Sequence, residues 1–457
     1  MSIPKLQKLI LVVGDVVLIL LATQLAPMIR FGRTFNIFDI HTGASTFTFV
    51  LYVVSFYIVD LYNMETNSKY GETIMRSAIA VIGAGVFAPF LFYFFPQWKY
   101  GRGIFLIQMV LVWVFSGLWR IIFSALYPIA AKKENVIIIG TNSCGKSIAE
   151  ELEQDFSPYH VVGFIDDNVS EKQEKAQDSF KLLGKTDQLI EIAEKEGVKT
   201  AVLAMPDNRS SRLISHILNA RLKGIEVLEM ATVFEKLTGR VPVAYVSDEW
   251  LLFADGFYLI SKQHVQRIKR LIDLGVSSLI FLLTMPVMVL TGIAIKLESA
   301  GPVLFKQGRV GMGGSVFTLY KFRSMRTDAE KNGPVWAGKK DNRVTRVGKW
   351  IRKFRIDELP QIWNVFRGDM SLIGPRPERP EFVKDLEAKI PYYGVRHSVR
   401  PGITGWAQIK YPYGASVEDA LRKLEYDLYY IKNMSLFLDL KILLRTIGVI
   451  ILGEGAR

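Results

Sequence analysis

The run Leu271-Ile272-Asp273-Leu274-Gly275-Val276-Ser277-Ser278-Leu279-Ile280-Phe281-Leu282-Leu283-Thr284-Met285-Pro286-Val287-Met288-Val289-Leu290-Thr291-Gly292-Ile293-Ala294-Ile295 is long enough to cross a hydrocarbon layer as a helix, yet Pro286 interrupts it. Proline removes a helix hydrogen bond and bends the axis. A crossing would place everything after Ile295 on the far side of a membrane, whereas a hairpin bent near Pro286 would keep it on the near side. The reading of this one run therefore decides the fold.

Working outward toward the N-terminus, four further apolar stretches open the chain: Leu9 to Leu25, Ser45 to Leu61, Ile74 to Phe95 and Ile104 to Leu126. Each is about long enough to span and is flanked by polar or charged residues, so residues 1–131 are expected to form a four-span helical bundle. No small-residue cleavage site precedes the second stretch, which speaks against a removed signal peptide. Asp15 and Arg120 fall inside the first and last stretches. They are either functional intramembrane charges or groups snorkelling or paired near a helix end, and the second reading is preferred. An even number of spans returns the chain to the side it started from.

The composition agrees with a membrane component, since half of the 457 residues are hydrophobic. The net charge of +13 is unevenly placed. From Lys262 onward there are 33 lysines and arginines against 18 acidic residues, which leaves 24 against 26 before it. Such a basic segment suits anionic membrane lipids or phosphate substrates. No nucleic-acid motif accompanies the charge, and no nucleic-acid partner is expected. Cys144 is the only cysteine and the five histidines lie far apart, which excludes an intrachain disulfide and argues against a structural transition metal.

Between the bundle and the long run the pattern changes to that of a Rossmann-like α/β domain, residues 132–233. Val136 to Ile139, Val161 to Ile165, Thr200 to Ala204 and Gly224 to Leu228 read as strands separated by charged helical segments, the signature of a parallel sheet. Residues 234–261 read as a linker, and 262–457 as a last, mainly helical domain containing the long apolar run at 271–297. Near its end, Leu436 to Leu452 carries Asp439, Lys441 and Arg445 and reads as a helix lying on a membrane surface, with a plain core helix as the alternative.

Two motifs in the middle of the chain point to other chemistry. Gly140-Thr141-Asn142-Ser143-Cys144-Gly145-Lys146-Ser147 matches the phosphate-cradling loop of nucleotide triphosphatases and sits between a strand and a helix. Its only candidate magnesium-holding aspartate is Asp207, directly after Pro206, and the same spacing arises as an eroded dinucleotide turn. A membrane-tethered ATPase regulating polysaccharide export is the alternative function this motif supports. Tyr258 and Lys262 have the Tyr-x-x-x-Lys spacing of short-chain dehydrogenases, but Ser143 and Lys146 stand where such a turn needs glycines.

The last domain is more specific. Gly301-Pro302-Val303-Leu304-Phe305-Lys306-Gln307, Arg309 with Gly311, Lys321-Phe322-Arg323-Ser324-Met325, Asp357-Glu358-Leu359-Pro360-Gln361, Gly374-Pro375-Arg376-Pro377 and Arg400-Pro401-Gly402-Ile403-Thr404-Gly405-Trp406-Ala407-Gln408 occur in that order. Two adjacent carboxylates amid guanidiniums suit phosphate chemistry. A carboxylate can attack phosphorus to form an acyl phosphate, and its neighbour can hold Mg2+. Arginine binds phosphate bidentately and stays charged, which makes Arg323, Arg352, Arg376 and Arg400, with Lys321, the candidate substrate-binding residues. On a continuous helix Arg352 and Asp357 would lie on adjoining faces. Asp369 is either a second metal ligand or a turn residue after Gly368, and the turn is preferred.

This series resembles the bacterial sugar transferases that move a hexose 1-phosphate from a nucleotide sugar to a polyprenyl phosphate. The resemblance covers about Lys262 to Leu452. With four spans and an α/β domain ahead of it, the chain resembles the large phosphoglycosyl transferases that begin exopolysaccharide or O-antigen repeat units. The resemblance implies Asp357 as the nucleophile toward a UDP-sugar, UMP as leaving group, undecaprenyl phosphate as acceptor and Glu358 as the Mg2+ ligand. It also implies a re-entrant hairpin at Pro286 and a bacterial inner-membrane location with the catalytic domain on the cytoplasmic side; a large enzyme with an accessory domain is further expected to be a homodimer. The sequence departs from the family pattern at Arg355, where many members carry a small hydroxyl residue. It departs again after Gln408, where Lys410-Tyr411-Pro412 follows Ile409 in place of Asn-Gly-Arg.

Overall fold

A computed structural model of the chain describes residues 3–32, 37–59, 61–62, 70–94, 101–126, 133–154, 157–167, 181–205, 210–253, 256–257, 263–329, 342–411, 414 and 416–452. The chain divides into two compact units, Met1–Leu203 with Arg212–Val227, and Ala204–Ser211 with Leu228–Arg457.

The first unit opens with helices α1 (Ile3–Phe31), α2 (Ile37–Ile58), α3 (Tyr70–Phe94) and α4 (Arg102–Leu126). Leu11, Ile19, Tyr52, Phe56, Ala84 and Val112 share their core. Arg120 donates through Nη1 and Nη2 to the two oxygens of Asp15, both at 2.9 Å, and both side chains are buried. The two apolar-segment charges are thus a bidentate pair joining α1 to α4, the arrangement that makes an intramembrane charge tolerable. Among the described residues three helices are long and apolar enough to cross a membrane: Lys8–Phe31, Arg102–Phe123 and Gln266–Glu298. The apolar parts of α2 and α3, Gly43–Ile58 and Thr73–Pro89, are shorter.

The sheet has the order β3-β2-β1-β4-β5, with β1 (Glu134–Ile139), β2 (Tyr159–Ile165), β3 (Leu182–Gly184), β4 (Thr200–Leu203) and β5 (Glu226–Glu229). The pairs of β1 with β2, β1 with β4 and β2 with β3 are parallel, the Rossmann-like winding that the alternation of strand and helix implies. Val136 to Ile139 are fully buried because both faces of a parallel sheet are covered. Three-residue β3 is too short for a period of two to show in the sequence.

The second unit takes in the expected linker. Val241 donates its N–H to Glu425 O at 3.0 Å, Trp406 donates to Gly239 O at 2.9 Å, and Glu235 accepts from Lys432 and Asn433. Val241 and Val243 belong to the core of this unit, so the described part of 234–261 is built into the last domain. Tyr258 and Lys262 lie outside the described residues, as do Pro206 and Asp207.

One helix, Gln263–Glu298, runs through Pro286 with no turn dividing it in two, and a proline bends a helix axis without ending the helix. Both of its ends are held by the same unit. At one end Lys269 pairs with Asp439 at 2.6 Å, Arg270 donates to Val365 O and Phe366 O, and Asp273 accepts from Leu372 N. At the other, Ile295 packs with Phe322 and Ile351. Between them Leu279, Leu282, Leu283, Val289 and Leu290 are exposed. The terminal helix Leu436–Leu452 buries Leu438 and Ile442 in the core, whereas Phe437 and Leu440 are exposed.

Candidate active site

An antiparallel hairpin of β6 (Leu304–Val310) and β7 (Val316–Phe322) carries Lys321 on one face and buried Phe322 on the other. On the free edge of β7, fully buried Asn364 acts as a side-chain strand: its Nδ2 donates to Thr318 O at 2.7 Å and its Oδ1 accepts from Tyr320 N at 3.2 Å. Asn364 lies on the helix Ile362–Arg367, directly after the acidic pair, and so fixes that pair against Lys321.

A second clamp fixes Arg376. Parallel strands β8 (Ser371–Ile373) and β9 (Gly402–Thr404) continue into a backbone crossing in which Gly374 N bonds Thr404 O and Gly402 N bonds Pro375 O. A Cβ on Gly402 would sit 2.1 Å from Gly374 N, and one on Gly405 2.2 Å from Gly374 O. Only hydrogen fits there, which explains these two glycines. Arg396 buttresses the turn from behind, donating to Arg376 O at 2.9 Å and to buried Asp427 at 2.8 Å.

The acidic pair begins a new turn. The helix Arg346–Lys353 ends at Phe354, Arg355 takes a left-handed φ of 54°, and a 3-10 turn runs Ile356–Gln361. Arg352 and Asp357 are therefore not on one continuous helix, as the five-residue spacing had implied. A left-handed non-glycine residue is strained, and such strain is kept where surrounding structure holds it for a purpose.

The two carboxylates meet different surroundings. Glu358 is clamped: Arg376 Nη2 donates to Oε1 at 2.6 Å, Lys321 Nζ lies 3.7 Å from the same oxygen, and Arg355 Nη1 lies 3.8 Å from Oε2. Burial opposes its charge, but Arg376, Lys321 and Arg355 together hold its carboxyl below the usual carboxylate range. Asp357 has no hydrogen-bond or ion-pair partner among the described residues. Burial, followed by the charge of Glu358, pushes its carboxyl above the usual range. Burial first and Arg376 next bring Lys321 down to about 8.

These groups line a cavity of about 760 Å³, together with Arg352, Arg355, Arg396 and Gln408. Nη1 of Arg352 is buried without a partner, a donor open to an anion. The structure thus brings Asp357, Glu358, Lys321, Arg352 and Arg376 together. It does not bring the other two candidates. Arg323 lines the cavity wall, but its guanidinium is committed to Ala300 O, Ser299 O and Ser299 Oγ at 2.8–2.9 Å, closing the C-terminus of the long helix. Arg400 donates to Gly368 O at 3.1 Å and is not among the lining residues. Asp369 meets Asn364 and Arg367 in the turn after Gly368 and also lies off the cavity. Sequence reasoning missed Asn364, Arg396 and Asp427, which carry no motif and act by position.

A family profile described as "Bacterial sugar transferase" matches residues 264–453, and one described as "CoA-binding domain" matches residues 57–227. A UDP-glucose:undecaprenyl-phosphate glucose-1-phosphate transferase of Klebsiella pneumoniae is 33% identical over 355 residues, covering 75% of this chain and 72% of that relative. The chain belongs to the bacterial sugar transferase family. A UDP-N-acetylgalactosamine-undecaprenyl-phosphate N-acetylgalactosaminephosphotransferase of Aeromonas hydrophila is 49% identical over 236 residues, 52% of this chain and 55% of that relative. An undecaprenyl-phosphate glucose phosphotransferase of Komagataeibacter xylinus is 46% identical over 185 residues, 39% of this chain and 35% of that relative. The chain thus spans about half and a third of the length of these last two relatives. Among solved structures, a Rex-family repressor aligns at a TM-score of 0.19 and 15% identity over 27% of this chain and 68% of that one, too slight a likeness to bear on the fold.

In this sugar transferase the donor set suits Mg2+. Among the described residues no three His, Cys, Asp or Glu side chains cluster to cage a metal. Mg2+, however, is usually held by one or two carboxylates, with water and substrate phosphate completing its shell. Asp357 and Glu358 at the cavity supply that set. In the α/β turn polar groups pair with one another: Thr141 N and Oγ1 both donate to Asp166 Oδ2, and Asn142 Oδ1 caps helix α5 (Ser143–Leu152) through Gly145 N.

Proposed function

We propose that this sugar transferase moves a hexose 1-phosphate from a UDP-sugar to undecaprenyl phosphate in two steps on Asp357. The observation that carries the reading is the division of labour between adjacent acids, one clamped by three cations and the other unpartnered at the cavity. A carboxylate oxygen of Asp357 attacks the sugar-linked phosphorus, and the bond to the bridging oxygen breaks. UMP leaves with that oxygen and its electron pair. The lipid phosphate then attacks the same phosphorus, the Asp357–phosphorus bond breaks, and the carboxylate is regenerated.

Arg352, Arg376 and Lys321 neutralise the phosphate charge and orient it, and the Arg376–Glu358 pair holds that guanidinium in place. Glu358 would hold Mg2+, which when bound shields the diphosphate charge from an anionic nucleophile. The elevated carboxyl of Asp357 makes a better nucleophile than an ordinary carboxylate once ionised.

We further read α1–α4 as four spans and Gln263–Glu298 as re-entrant in a bacterial inner membrane, with the catalytic unit on the cytoplasmic side. Support comes from the long helix, whose two ends are held by one unit while its middle exposes leucines and valines; ends on one body favour one side of a bilayer. Exposed Trp350, Phe354 and Trp363 near the acidic pair suit contact with membrane lipids.

The test is UMP release from UDP-sugar and undecaprenyl phosphate by the full-length protein in lipid nanodiscs. Asp357→Asn should lower it by at least about 10³-fold. Wild-type protein given radiolabelled UDP-sugar alone should retain label that the variant does not. Wild-type turnover by Asp357→Asn would reject the reading.

A further inference from the structure

Gln408 closes the last sequence motif, yet the reaction above gives it no role. It lines the same cavity as Asp357, and both atoms of its carboxamide, Oε1 and Nε2, are buried without a hydrogen-bond partner among the described residues. Buried polar groups in folded proteins are almost always paired, so an amide orphaned at both ends beside a cavity marks a place for a ligand.

The setting of Gln408 is rigid. Its five-residue helix, Trp406–Lys410, starts at Gly405 in the glycine crossing described above. The Trp406 indole stacks on Tyr429 at 5.7 Å and donates to Gly239 O. Tyr411, just after the helix, donates to Asp419 Oδ1 at 2.9 Å. Anchored on both sides, Gln408 has little freedom to find a partner by collapse.

Chemistry narrows the ligand. A carboxamide presents a donor and an acceptor side by side, and its Oε1 repels phosphate oxygens, which have the cations near Glu358 instead. The complementary group is neutral, with an N–H adjacent to a C=O. Aromatic Phe382 and Tyr411 line the same cavity. We propose that Gln408 pairs with an amide-type edge of the donor nucleotide sugar, supplied either by the uracil imide or by the acetamido group of an N-acetylated sugar. The inference rests on the donor class proposed above.

The full-length protein in nanodiscs is titrated with UMP, UDP-glucose and UDP-N-acetylgalactosamine, comparing wild type with the near-isosteric Gln408→Met. Pairing to uracil predicts that all three ligands weaken together, by roughly 10- to 100-fold. Pairing to the acetamido group predicts that only UDP-N-acetylgalactosamine weakens. Affinities unchanged for all three, at an unchanged melting temperature, would overturn the inference. If Gln408→Met lowers the melting temperature, Gln408→Glu keeps the size, loses the donor and decides on the same criterion. A wild type that binds none of the three would bring down the proposed function and this inference together, whereas normal wild-type binding with indifferent variants removes the inference alone.

Discussion

The turn at Gly140–Lys146 and the turn at Arg355–Gln361 each carry a pattern that suits phosphate chemistry, yet they end in opposite states. In the first, the polar groups close on one another: Thr141 on Asp166, Gly145 on Asn142, while Lys146 is exposed. In the second, Asp357 has no partner among the described residues, and Arg352 Nη1 and Gln408 line the same cavity with buried, unpaired donors. Matching a phosphate-binding pattern is therefore the weaker signal. Polar groups that converge on one cavity and remain unsatisfied are the stronger one, because buried polar groups in folded proteins are rarely left unpaired.

The contrast can be broken or sharpened by measurement. After Asp357→Asn, the largest effect is expected from Arg376→Ala, which removes a cavity guanidinium and releases Glu358; UMP release should fall roughly 10²- to 10³-fold. A loss of less than tenfold would mean the clamp is ornamental. Next comes pH. Asp357 must be ionised to attack, so kcat/KM should fall as pH drops through a pKa above the ordinary carboxylate range. Lys321 must be protonated to hold phosphate, so activity should fall again as pH rises past about 8. Lys321→Arg, charged throughout, should shift the alkaline limb upward and leave the acid limb in place. Asn364→Ala strands Tyr320 N and Thr318 O and should cost about 1–3 kcal/mol in denaturant unfolding, with a smaller loss of kcat. The smallest effect belongs to the other turn. Lys146→Ala should leave UMP release unchanged, and a large loss there would reverse the comparison.

Much of this was legible in the residues. Short β-branched runs alternating with charged helical segments announce the parallel sheet, apolar length announces membrane-competent segments, and Asp357-Glu358 with Arg376 points to phosphate chemistry. These are local properties, carried by side-chain polarity at neighbouring positions, so a sequence exposes them. The structure alone decided that one helix runs through Pro286, that Val241 and Val243 belong to the core of the last domain, and that Arg323 binds helix-terminal carbonyls at the cavity wall while Arg400 binds Gly368 O away from the cavity. It alone showed Asn364 standing in for a strand and Gln408 left unpaired. Hydrogen-bond saturation is a property of three-dimensional neighbourhoods joining residues tens of positions apart, so the same arginine reads alike in sequence whether it meets a carbonyl, a carboxylate or an open cavity.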